Sequence, residues 1–140
     1  MSINNLFQNN NFPINGGVVE SFELQLGGAF SPAIPTTIYM TKCGKIATIH
    51  FPDVFNLSQV NTTITSQNTL PANYIPHSGV YQYIWVYNNS LASPTTTQGG
   101  MCFIAQNGTI IISPDFYGNF AIGGKYAGTP TFSISYVTAN

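Results

Sequence analysis

Along most of this chain apolar and polar side chains alternate with a period of two, which admits strands and little else. Phe22, Leu24 and Leu26 face one way while Ser21, Glu23 and Gln25 face the other. Near the end, Phe132, Ile134 and Tyr136 alternate with Thr131, Ser133 and Ser135. No window repeats its apolar residues at helical spacing between capping residues. Gly, Pro and Asn cut the alternating segments short, as at Gly27-Gly28, Pro32 and Pro35, and Asn88-Asn89. The pattern predicts about eight to ten short strands in an all-β fold, an antiparallel β-sandwich or jelly roll.

Individual elements follow from the same reasoning. Thr36–Lys42 and Lys45–Phe51 read as two strands meeting in a tight turn at Cys43-Gly44, where Gly accepts a positive φ. Val60–Ser66 is a Thr-rich strand, since β-branching favours that backbone. Leu70–Pro76 is a proline-punctuated connector into Val80–Tyr87, and residues 93–100 read as a flexible loop. Met101–Gln106 and Thr109–Ser113 flank Asn107-Gly108, the preferred centre of a type I′ hairpin turn. Asn119–Ile122 is a short candidate strand. Residues 1–16 are polar and Asn-rich and read as an N-terminal arm or connector, leaving 17–140 as one β-sandwich domain.

Charge is scarce. Three Lys and four carboxylates carry a net charge of -1, and there is no Arg. A folded chain of this size exposes about 7,000 Å², so each charge serves roughly 1,000 Å². Net charge near zero promotes association, so the chain is expected to meet copies of itself or fixed neighbours. Without clustered Lys or Arg, no nucleic-acid partner is expected. No apolar run approaches the length of a membrane span, and the N-terminus lacks the basic start and apolar stretch of a secretory signal. Neither membrane insertion nor a cofactor is expected.

Residues suited to catalysis are few. His50 and His77 are the only histidines, and no Gly-x-Ser-x-Gly elbow occurs. His50 alternates with Ile46 and Thr48 on a strand, as a hydrogen-bonded structural histidine would, and His77 follows Pro76 in the connector. The pairs His50/Asp53 and Glu20/Glu23 lack a third spaced ligand, so no metal site is expected. Gly123-Gly124-Lys125 fails as a phosphate loop, because Asn119 stands where the first Gly belongs and Tyr126 follows the lysine. No enzymatic activity is expected. Cys43 and Cys102 permit one disulfide at most and read as two small buried thiols, Cys102 between Met101 and Phe103 in an apolar strand. Asn56, Asn61, Asn88 and Asn107 begin Asn-x-Ser/Thr sequons, a frequency that an Asn- and Thr-rich chain reaches by chance.

One strand is unusual. Tyr81, Tyr83, Trp85 and Tyr87 share one face of Val80–Tyr87, and Val80, Gln82, Ile84 and Val86 share the other. A strand apolar on both faces is normally covered on both. Three roles fit: a core strand of a closed sandwich, a subunit interface, where Tyr and Trp are enriched, or a sugar-stacking platform. These four residues are the candidate ligand or subunit-interface site.

Over about 100 residues the chain resembles the trimeric C1q/TNF-like head domains of bacteriophage and large-virus fibre proteins. Four segments carry the resemblance in order: Tyr39-Met-Thr-Lys-Cys-Gly-Lys-Ile-Ala-Thr-Ile-His-Phe51, Leu70-Pro-Ala-Asn-Tyr-Ile-Pro76, Gly108-Thr-Ile-Ile-Ile112 and Phe132-Ser-Ile-Ser-Tyr-Val-Thr138. The resemblance implies a homotrimer at the virion surface that attaches to a host receptor or glycan and joins other virion proteins through the N-terminal arm. A purely architectural capsid or cementing protein, and a cellular lectin-like or C1q-like adhesion module, remain alternatives.

Overall fold

The computed structural model describes residues 19–89, 96–115 and 118–140; the expected arm lies outside them. Ten antiparallel strands make up the described residues: β1 Glu20–Gly28, β2 Ile34–Cys43, β3 Ile46–Phe51, β4 Val54–Leu57, β5 Ile64–Ser66, β6 Val80–Asn89, β7 Gln98–Ile104, β8 Ile110–Ser113, β9 Tyr126–Thr129 and β10 Phe132–Val137. A single 3₁₀ turn, Ala72–Tyr74, interrupts the connector between β5 and β6.

The strands run as one curled sheet in the order β10-β3-β2-β1-β5-β8-β7-β6-β9-β4. β1 is the corner. Glu20–Leu26 pair with β2 and Leu26–Gly28 with β5, the partner changing at Leu26, which pairs with both. Gly28 makes that change of partner possible: it sits at φ +69, and a Cβ there would strike the Thr63 carbonyl. The curl leaves two layers facing each other, as in a sandwich. Leu24, Ile38, Met40, Ile49, Phe51 and Ile134 from one meet Ile64, Ile84, Val86, Ile104, Ile110 and Ile112 from the other in one buried cluster. On the open side Gln82 Nε2 donates to the Ser133 carbonyl at 2.8 Å, tying β6 to β10 across the gap.

A polar chain fixes the end of the sandwich. Tyr136 donates its hydroxyl to the Tyr74 carbonyl at 2.7 Å, and Tyr74 donates its own to Glu20 Oε1 at 2.7 Å. Lys42 Nζ donates to the carbonyl oxygens of Asn73 and Asn140. Tyr136→Phe leaves a buried carbonyl without its donor, so urea denaturation should show a loss of about 1–3 kcal/mol.

Several local expectations differ from the structure. Cys43 pairs with Ile46, which puts the β2–β3 turn one residue later, at Gly44-Lys45 with Gly44 at φ +60. The β7–β8 hairpin is not a two-residue type I′ turn. Ala105 N–H donates to Thr109 O, and Gly108 N–H donates to Ala105 O, which makes a three-residue loop closed by Gly108 at φ +92. Asn107 Oδ1 accepts the Thr109 N–H at 3.0 Å and stabilises this alternative. The strand expected at Val60–Ser66 begins only at Ile64, because Thr62 N–H turns back onto the Val60 carbonyl. Asn119–Ile122 is not a strand: Phe120 is fully buried as a plug, its N–H held by the Thr62 carbonyl. β4 and β9, which pair with each other, had no counterpart in the sequence pattern. Cys102 is buried, as expected, but Cys43 is exposed at its hairpin, and both thiols are free.

Candidate functional site

β6 changes partner midway, and this decides which of its aromatic residues reach the surface. Val80–Val86 pair with β7, while Tyr87–Asn89 pair with β9. Over the first stretch alternation holds, and Tyr81, Tyr83 and Trp85 project outward with 53%, 81% and 63% of their surface exposed. At the switch two successive residues, Val86 and Tyr87, are both buried. Phe55 of β4 pairs with Gly128, which also pairs with Tyr87, and its ring meets Tyr87 edge-on at 6.1 Å. Gly128 lacks the Cβ that would otherwise strike the Val54 carbonyl and the Phe55 backbone. Tyr87 therefore belongs to the scaffold: its hydroxyl reaches Asp53 Oδ2 at 3.4 Å, and burial and that carboxylate raise its pKa. Three of the four candidate residues share one outer face and the fourth does not.

The three outward residues stand on a floor supplied by β7. Tyr81 pairs with Phe103, Tyr83 with Met101 and Trp85 with Gly99. Tyr81 and Phe103 stack at 4.4 Å with an interplanar angle of 26°. Met101, though it faces outward, is buried beneath the row. Between Tyr83 and Trp85 the missing side chain of Gly99 opens a cleft of about 250 Å³ lined by Tyr83, Ile84, Trp85 and Gly99. A smaller one of about 70 Å³ lies over Met101 between Tyr81 and Tyr83. The result is a ribbed aromatic wall.

The outer face of β10-β3-β2 is a second exposed apolar surface. Tyr39, Ile46 and Val137 are each about half exposed, and Ile46 pairs with both Cys43 and Val137. Short hydroxyl side chains separate them: Thr48 bonds Ser135 at 2.8 Å, and His50 Nδ1 bonds Ser133 Oγ at 2.8 Å. His50 is thus a hydrogen-bonded strand residue, and His77 lies exposed in the connector. The alternation of Tyr39 with Thr41 and of Ile46 with Thr48 was visible in the sequence and could have found this surface.

Among the described residues no group of three His, Cys, Asp or Glu could hold a metal ion, and no helix is long and apolar enough to cross a membrane. All four sequon amides are hydrogen-bonded: Asn61 and Asn88 to the distant Phe120 carbonyl and Ala121 N–H, Asn56 and Asn107 to the nearby N–H groups of Leu57 and Thr109.

Neither a family model nor a curated protein matches the chain. Solved structures do. The reovirus attachment protein sigma1, in complex with alpha-2,3-sialyllactose, superimposes with a TM-score of 0.60 at 13% identity, covering 94% of this chain and 69% of that one. The carboxy-terminal domain of the turkey type 3 siadenovirus fibre, avirulent form complexed with 3-sialyllactose, covers 88% of this chain and all of its own, with a TM-score of 0.54 at 9% identity. The chain shares its fold with these two viral proteins. At such identities the likeness lies in the fold, and it agrees with the fibre-head resemblance of the sequence segments.

Proposed function

We propose that this chain is a non-enzymatic viral structural protein, a homotrimeric fibre-head-like domain at the virion surface that presents a receptor- or glycan-binding surface. The observation that carries the reading is the exposed row of Tyr81, Tyr83 and Trp85 on a fold shared with two sialyllactose-complexed attachment heads. Large aromatic side chains in water are an unused source of binding free energy, and they are enriched where proteins meet partners. Ligand contact is the role proposed for these three residues. Residues 1–16 supply the link to other virion proteins.

The subunit contact in this proposal is the outer face of β10-β3-β2. Tyr39, Ile46 and Val137 stand on it among hydroxyls and His50, with no carboxylate, so a neighbouring subunit covers it without leaving a carboxylate dry. β10 is a terminal strand of the sheet, held on its outer side at Ser133 by Gln82 and at Val137 by the His77 N–H, and a closed ring covers the rest of such an edge where an open chain of contacts would polymerise. The fibre-head resemblance selects three subunits over two.

Light scattering of the purified protein is expected to give the mass of three chains, and a glycan array is expected to retain it. A monomer at micromolar concentration overturns the assembly. A trimer that binds neither glycans nor cells overturns the attachment role and favours an architectural virion component.

A further inference from the structure

We infer that the cleft between Tyr83 and Trp85 takes a neutral pyranose, and not the carboxylate of an acidic sugar. This rests on the attachment reading above and names the ligand class of the same surface. Three observations carry it.

The first is shape. The cleft is one side chain wide because Gly99 leaves it open, and an added Cβ there would meet nothing within 4 Å. Its volume of about 250 Å³ is bounded by the Tyr83 and Trp85 side chains and is floored by backbone. A pyranose has a face of C–H groups that packs on an aromatic ring, whose face carries the negative part of its quadrupole. Its rim of hydroxyls meets a neutral polar neighbour, the exposed Thr97 two residues before Gly99.

The second is charge. An acidic sugar is normally held by charge-assisted hydrogen bonds from Arg or Lys. The chain has no Arg. Lys42 is held by two carbonyls at the end of the sandwich, Lys45 lies in the β2–β3 turn, and Lys125 precedes β9. None of the three lies on β6 or β7. The ionised residue that the register brings nearest is Asp115, two residues beyond Ser113, which pairs with Met101. A carboxylate there repels an anion.

The third is the alternative covering. A second copy of the chain is the other occupant this wall could take, but Tyr39, Ile46 and Val137 offer an exposed apolar face on the opposite layer. A ribbed wall with a ring-sized slot suits a small ligand better than a flat contact.

Trp85 is the only tryptophan in the chain, so its fluorescence reports on this cleft alone. The intact protein is titrated with lactose and with 3′-sialyllactose. Lactose is expected to change the emission saturably in the millimolar range, and sialyllactose to bind no tighter. Gly99→Val fills the slot without a clash and is expected to weaken lactose by about tenfold or more. Val60→Ala, in the connection before β5 and on neither face, should leave the lactose affinity unchanged. An emission blind to lactose overturns the inference. So does sialyllactose binding about tenfold tighter than lactose, a Gly99→Val variant of full affinity, or a Trp85→Ser variant that is monomeric where the wild type is not. Glycan-array binding that leaves Trp85 silent and survives Gly99→Val rejects this cleft and keeps the attachment reading. Failure to bind any glycan or cell rejects both.

Discussion

Ile46→Asp is expected to convert the proposed trimer to monomers while leaving each subunit folded. Ile46 stands at the first position of β3, about half exposed, between Cys43 and Val137 of the neighbouring strands. In the free subunit an aspartate there stays in water, so the fold loses little. In the proposed trimer the same carboxylate is pressed against a neighbour's Tyr39, Ile46 or Val137 face, and the nearest cation, Lys45, lies exposed in the turn before it and not on that face. Leaving an ionised group dry and unpaired costs several kcal/mol, and a ring repeats that cost at every interface. Dissociation should then begin at protein concentrations higher by about a hundredfold or more, since each 1.4 kcal/mol is a factor of ten. Light scattering across a dilution series reads this directly, with far-UV circular dichroism as the check on folding. Tyr83→Asp, on the opposite layer, should leave the trimer mass unchanged. If Ile46→Asp keeps its mass at nanomolar concentration while Tyr83→Asp dissociates, the two faces exchange roles and the aromatic row is the subunit contact.

The residues that made the fold legible are those whose neighbours repeat their chemistry every second position. Phe22, Leu24 and Leu26 specify β1, and Phe132, Ile134 and Tyr136 specify β10, because one buried face dictates which residues must be apolar. β4 and β9 escaped for the opposite reason. Val54–Leu57 and Tyr126–Thr129 are four-residue strands whose meaning lies in each other, about 70 residues apart, and Gly128 marks the close approach of β4 rather than a break. Val60–Ser66 has the β-branched residues of a strand, yet tertiary contacts with Phe120 bend its first half.

Of the candidate site, the sequence pattern located the row and placed one residue too many on it. Alternation alone puts Tyr87 with Tyr81, Tyr83 and Trp85. The change of partner from β7 to β9 at Val86 buries it, and no local signal marks where a strand changes neighbours. Gly99 carried the opposite problem: a glycine in a loop-like segment is the floor of the cleft, which only the pairing with Trp85 shows. Scarcity of charge, by contrast, was readable at once and shapes both surfaces.

The stability of this domain is expected to fall steeply above pH 9, and Cys102 is expected to account for one proton of that fall. Cys102 lies wholly buried in β7, and burial pushes its thiol from the ordinary 9.0 up to about 12. Tyr74 is pushed from 10.0 to about 12, chiefly by burial and then by its hydrogen bond to Glu20, and burial raises Tyr136 as well. At neutral pH all three groups are protonated in both the folded and unfolded chain, so they contribute no pH dependence there. Above pH 9 the unfolded chain releases the Cys102 proton and the folded chain keeps it, so unfolding gains with every increment of pH until about 12. The slope is about 1.4 kcal/mol per pH unit for one proton, and over the whole window Cys102 alone is worth on the order of 4 kcal/mol. Urea midpoints measured from pH 7 to 11 under reducing conditions read this slope. Cys102→Ala shifts the whole curve by a constant amount of lost packing, but it should also flatten the alkaline limb by that one proton. Parallel limbs would mean that the thiolate finds water or a partner without unfolding. Cys102 sits between Met101 and Phe103, which floor the aromatic row. Trp85 emission should therefore move at the same pH as the far-UV signal if β6 and β7 open with the whole domain, and at a lower pH if they part first.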